Sequence, residues 1–252
     1  MRNVMRNVAI FGVITTMVLF LAQLSACNDS DSGGGGGGGG GIAAAAACND
    51  GKDNDGDGLI DYPEDPGCFS LKDKSEAFST AAGVAVVLEL ARRFKDHPLP
   101  TTEIRFLGDG SEETYMHGMT CFMEAHQHEL DKNHTYFLVP ESCGNGAPRV
   151  VIGEGVSWIE RHSPELCNLV LAAARELGYH DVEPIILRTG GTDMSPPTVR
   201  GFKATGIIAM NENDYVPNYH WHGDLPENVQ LETLKKVTAI FEAAIKKIDA
   251  EF

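Results

Sequence analysis

Residues 77–252 of this 252-residue chain predict an α/β fold, a three-layer sandwich around a mixed, largely parallel central sheet, with a small separate module ahead of it. Three observations predict it. Helical and strand patterns alternate along the stretch. Hydrophobic residues make up 42% of the chain, enough for one packed core. Carboxylates and imidazoles follow the strand patterns, where open α/β sheets carry their functional groups. Taken in order, Val84, Val87, Leu88, Ala91 and Phe94 mark one face of a first helix, and 103–108 is a strand running into glycine. Residues 116–130 read as helix, and 135–139 and 149–152 as strands. Ser163-Pro164 is a helix start, with Pro in the first turn and Leu166, Leu169, Val170, Ala173 and Leu177 on one side. Strands at 184–187 and 206–210 follow. Leu231, Leu234, Val237, Phe241, Ala244 and Ile248 give a long closing helix.

Charge bounds the partners. There are 36 acidic and 20 basic side chains, a net charge of −16. A nucleic-acid partner needs Lys and Arg to displace counterions, so none is expected.

Residues 1–27 read as an export leader. Arg2 and Arg6 form the positive flank, and the apolar run 9–22 is too short for a membrane span, which takes ~20 residues. It ends in Leu24-Ser25-Ala26-Cys27, which resembles the lipobox of bacterial lipoproteins and implies acylation of Cys27 after cleavage. Asn28 resembles outer-membrane sorting, so the expected location is the outer membrane or cell surface, held by a lipid anchor without a transmembrane helix. Residues 28–47, with the glycine run from Gly33 to Gly41, form a flexible tether.

Residues 48–76 read as a calcium-binding repeat. Asp53, Asp55 and Asp57 occupy the first, third and fifth places of a twelve-residue calcium loop. Gly58 makes its turn, Leu59 offers a carbonyl, Asp61 takes the ninth place and Glu64 the twelfth. Cys48 and Cys68 bracket the loop and are expected to close it as a disulfide in an oxidising exterior. The segment resembles thrombospondin type 3 repeats. Of the remaining Cys121, Cys143 and Cys167, at least one is expected to be free.

The chemistry is expected where the strands end. Phe106-Leu107 runs into Gly108-Asp109-Gly110-Ser111-Glu112-Glu113, Val139 into Pro140-Glu141, and Leu187 into Thr189-Gly190-Gly191-Thr192-Asp193. The last strand leads to Tyr219-His220-Trp221-His222-Gly223-Asp224. These runs are expected at one edge of the sheet. Oxygen and nitrogen donors without thiolate suit hydrolytic zinc, and adjacent glutamates can divide metal holding from proton transfer.

The run Gly83 to Arg92, the segment Phe106 to Glu113 and the stretch Tyr219 to Asn228 resemble the zinc-dependent exopeptidases of metallopeptidase family 28, which include leucyl aminopeptidases and share their fold with glutaminyl cyclases. The resemblance covers most of 80–249. It implies Glu112 as general base, Glu113, Glu141 and His220 as zinc ligands, and Asp193 as a pocket carboxylate. It implies one or two zinc ions and zinc-dependent removal of N-terminal residues from peptides or proteins. Two expected ligands are missing: Ser79 stands where the family has its bridging aspartate, and the family's upstream His-x-Asp motif, with the first strands, is absent. A neutral hydroxyl does not bridge two cations as a carboxylate does. Three readings follow: a hydrolase with a reduced site, a catalytically inactive lipoprotein of the same fold that binds peptides or a partner, and a truncated peptidase with an exposed sheet edge.

Overall fold

The computed structural model describes the backbone of residues 6–13, and residues 49–52, 60, 81–110, 112, 115–219, 224 and 226–250. Among these, seven strands form one sheet. They are β1 (Arg6–Val13), β2 (Thr102–Asp109), β3 (Thr135–Pro140), β4 (Ala147–Glu154), β5 (Glu160–Arg161), β6 (Glu183–Leu187) and β7 (Lys203–Met210). The helices are α1 (Ala81–Asp96), α2 (His117–His126), α3 (Pro164–Glu176), α4 (Ser195–Val199) and α5 (Leu231–Ala250). The sheet order is β2-β1-β3-β7-β4-β5, with β6 also on β4. β1 is parallel to β2 and β3, β3 to β7, and β4 to β6, while β4 runs antiparallel to β7 and β5. A mixed, largely parallel sheet is therefore what forms.

Alternation along the strands builds the two other layers. Tyr136 and Leu138 of β3, with Ile207 and Ala209 of β7, face the core beneath α1, α3 and α5. Phe137 and Val139, with Ile208 and Met210, face Met119 and Met123 of α2 and Met194 beside α4. All six residues of β3 are buried, as a strand covered on both faces requires. Ser163 caps α3, its Oγ accepting from the Leu166 N–H at 3.4 Å, with Pro164 in the first turn. Arg93 ties α1 to α5 through Glu242 at 2.6 Å.

Several expectations need correction. Leu88 does not face the core: it is 61% exposed, because Val86, Val87, Leu90 and Phe94 take the inward face of α1. The helix expected over 116–130 is α2 followed by a 3-10 turn at Gln127–Glu129. The short β5 and α4 carry no periodicity long enough to read. Arg6–Val13, within the span the sequence assigns to the leader, pairs as a strand along its length with β2 and over Asn7–Ile10 with β3, a pairing that the leader reading did not anticipate and that does not decide export. The functional loops do not leave the sheet at one edge. β4 and β6 run against β7, so Leu187 is level with Glu154 while Met210 is level with Ala147.

The calcium ligands Asp53, Asp55, Asp57, Leu59, Asp61 and Glu64, the Cys48–Cys68 pair and Cys27 lie outside the described residues. Cys121 is disulfide-bonded, whereas Cys143 and Cys167 are free and buried. Among the described residues no helix is long and apolar enough to cross a membrane.

Candidate active site

The site is a cavity of about 540 Å³ along the sheet face that α2 and α4 cover. Leu187, Ile208, Met210 and Val216 form its apolar wall, and Glu112, Glu141, Thr189 to Thr192 and the 211–219 loop complete it. The ends of β2, β3, β6 and β7 each contribute, even though β6 approaches from the far end of the ladder.

Each carboxylate is placed by a local feature. Glu112 follows β2 in a tight turn: the Met116 N–H donates to the Glu112 carbonyl at 2.7 Å, and the Gly118 N–H to the Gly110 carbonyl at 3.1 Å. Tyr115 and Met116 both take left-handed backbone angles (φ 61° and 53°) to make that turn. Glu141 follows β3. Its N–H donates to the Ile207 carbonyl at 2.9 Å, its Oε1 accepts from Ser142 Oγ at 2.9 Å, and Ser142 has φ 40°. The 211–219 wall is held by Asn211 Oδ1, which accepts from the N–H groups of Asn213 and Tyr215. It contains two more left-handed residues, Asp214 and Asn218. Non-glycine residues in this region cost free energy and gather where a structure over-determines its backbone for function. Here all five surround or approach one cavity.

Asp193 is 1% exposed, and both its carboxyl oxygens are shielded from solvent. Burial first, then the negative charges of Asp109, Glu141, Glu112 and Glu154, push its pKa up to about 9. Burial also raises Asp109, to about 6, opposed in part by hydrogen bonding to its own backbone and to the Asp193 carboxyl, and its oxygens are likewise shielded from solvent. With Asp193 held protonated, the negative charge at this point comes from Glu112, Glu141 and the ionised fraction of Asp109, and a cation or a positively charged amino group would relieve it.

Of the residues singled out in the sequence, the structure brings together Glu112, Glu141 and Asp193. Glu113 and His220 lie outside the described residues, as does Ser79. Two carboxylates escaped assignment. Asp109 stands just past the strand predicted over 103–108, in a strand-end run where only Glu112 and Glu113 take roles from sequence. Glu154 is a lone charge closing the apolar run Val150-Val151-Ile152-Gly153, and only its burial shows that it is used internally.

Comparison with known proteins agrees with this arrangement. Residues 77–245 match the model of peptidase family M28. Among solved structures, BSAP, a zinc aminopeptidase from Bacillus subtilis, shares 22% identity with a TM-score of 0.56. The match covers 67% of this chain and 41% of that one. LapB from Legionella pneumophila shares 18% with a TM-score of 0.57, covering 67% and 46%. A glutaminyl cyclase from Porphyromonas gingivalis shares 13% with a TM-score of 0.60, covering 96% and 73%. The chain thus spans less than half the length of BSAP and LapB. No curated protein matches it.

Sheet order and layers define an α/β sandwich of the kind these aminopeptidase and glutaminyl cyclase structures share. The chain belongs to peptidase family M28.

Zinc is the metal to test against this site. The shielded, buried oxygens of Asp109 and Asp193 and the carboxylates of Glu112 and Glu141 fit it in donor type and charge. Among the described residues no three His, Cys, Asp or Glu side chains converge as a cage. Glu113 and His220, the other ligands expected from sequence, lie outside the described residues.

Proposed function

We propose that the chain is a metallopeptidase-type hydrolase that removes N-terminal residues from peptides, with zinc held by Glu113, His220 and Glu141. The observation that carries this reading is the pair of carboxylates Glu112 and Glu141 lining a cavity with one apolar wall, with the shielded carboxyls of Asp193 and Asp109 close behind them. The cavity receives an apolar side chain against Leu187, Ile208 and Met210, and the carboxylates receive the substrate's ammonium group. Glu112 takes the proton of the attacking water and passes it to the leaving amine. Zinc, when bound, supplies a Lewis acid that polarises the scissile carbonyl. Asp193, protonated near neutral pH when no cation is bound, ionises as positive charge enters the site.

The test is hydrolysis of aminoacyl-p-nitroanilides by the full chain, with elemental analysis of its zinc. Turnover is expected to disappear with a chelator and to fall about 10²–10⁴-fold in Glu112→Gln. Zinc-free protein that is inactive yet binds peptides supports the second reading, an inactive binder. An N-terminal glutaminyl peptide belongs in the same assay, because a glutaminyl cyclase is among the structural relatives.

Surface anchoring through Cys27 and calcium binding by Asp53 to Glu64 are parts of the same proposal, supported by sequence. A chain cleaved before Cys27 has lost Arg6–Val13, so the acylated form and the form with β1 in its sheet are distinct species. Intact mass of the membrane-extracted protein separates them.

A further inference from the structure

Asp193 reaches the site on a segment with little stiffness of its own, since Gly190 and Gly191 precede it without a side chain to restrain them. What fixes the segment lies outside the cavity. Glu154, at the end of β4, is 1% exposed and is not among the residues lining the cavity. Its Oε1 accepts from the Thr192 N–H at 3.1 Å and from Ser195 Oγ at 2.5 Å, and its Oε2 from Thr192 Oγ1 at 2.8 Å. Thr192 Oγ1 in turn accepts from the Met194 N–H at 3.2 Å. The residues on both sides of Asp193 are thereby tied, directly or through one hydroxyl, to a single carboxyl.

A second line of contacts backs the first. Thr198 Oγ1 donates to the Met194 carbonyl at 2.7 Å, so the 2.9 Å contact with His162 is a hydrogen bond donated by the Nδ1–H. His162 Nε2 then faces Glu154 Oε2 at 3.8 Å. The His162 N–H donates to the Ile152 carbonyl at 3.2 Å, and the Gly155 N–H to the Leu187 carbonyl at 3.0 Å, which fixes both ends of the clamp to the sheet.

We infer that Glu154 is a positioning residue: it clamps the Thr192–Ser195 turn so that the Asp193 carboxyl is presented to Asp109, Glu112 and Glu141. Its effect on turnover rests on the hydrolytic reading above, whereas its effect on the turn does not.

The experiment compares wild type, Glu154→Gln, Thr192→Val and Thr192→Ser in the full chain. Amide hydrogen exchange is read at Thr192 and Met194 against Ile240 in α5, which reports global opening. Glu154→Gln keeps the volume but turns an NH₂ group toward the donors. It is expected to speed exchange at Thr192 and Met194 by about 10–100-fold, with Ile240 changed less than about threefold. Thr192→Val, which leaves Glu154 in place, is expected to do the same at Met194, and Thr192→Ser to restore protection. If the chain hydrolyses aminoacyl-p-nitroanilides, kcat falls in Glu154→Gln and Thr192→Val while KM holds, and Thr192→Ser recovers it. Exchange unchanged at both amides, exchange rising in step with Ile240, or a loosened turn with undiminished kcat overturns the inference. A wild type without turnover removes the hydrolytic reading alone, and the exchange pattern still decides this one. Should Glu154→Gln fail to fold, the Thr192 pair decides it.

Discussion

Asp193 shows how one buried side chain sets a pH response. Its pKa of about 9 in the folded chain stands well above the ordinary 3.8 of an aspartate. Between those values the folded state binds more protons here than the unfolded state, so stability contributed at this position falls as pH rises from about 4 to 9. In metal-free protein, Asp193→Asn is expected to flatten the dependence. The difference in unfolding free energy between pH 5 and pH 8, measured in urea, shrinks by about 1–3 kcal/mol. An unchanged slope would mean that the carboxyl is solvated. Gly83 makes a second case. A Cβ there would stand 2.2 Å from the Pro140 carbonyl oxygen, so the first turn of α1 approaches the end of β3 as only glycine allows. Gly83→Ala is expected to cost about 1–3 kcal/mol in a denaturant titration and to disturb Glu141, the next residue along.

At the level of elements, β1 carries the largest consequence. It is parallel to β2 on one side and β3 on the other, with Ile10 level with Phe106 and Leu138. Removing it leaves two strand edges facing a gap, each with unpaired backbone groups. A chain starting at Cys27 is expected to melt about 10 °C or more below the full chain, or to lose its cooperative transition. Equal midpoints by differential scanning calorimetry would show that β1 adds no stability. The sequence read α1, β3, α3, β7 and α5 because each has an apolar period at its own spacing. It read β1 within an export leader, because the seven mostly apolar residues behind Arg6 satisfy a signal sequence and a strand equally well. Which use prevails depends on whether neighbouring strands are present to pair with it.

At the scale of the molecule, two free thiols record how completely the sheet is covered. Cys143 is fully buried and pushed up to about 12, by desolvation first and then by the charge of Glu141, and burial raises Cys167 as well. Only thiolates alkylate readily, so iodoacetamide is expected to label neither in native protein and both in denaturant, mapped by peptide mass. Labelling of Cys143 in native protein would mean that the end of β3 opens.

The sequence by itself determined the α/β class, the family resemblance, the acid-rich charge and the carboxylates Glu112, Glu141 and Asp193, because periodicity and short motifs are local properties of a chain. Tertiary structure decided that Arg6–Val13 completes the sheet, that β6 enters the cavity from the opposite end, and that Asp109 and Glu154 join the acids. Strand direction, pairing partners and desolvation arise from contacts between residues far apart in the chain, and such contacts exist only once the sheet has formed.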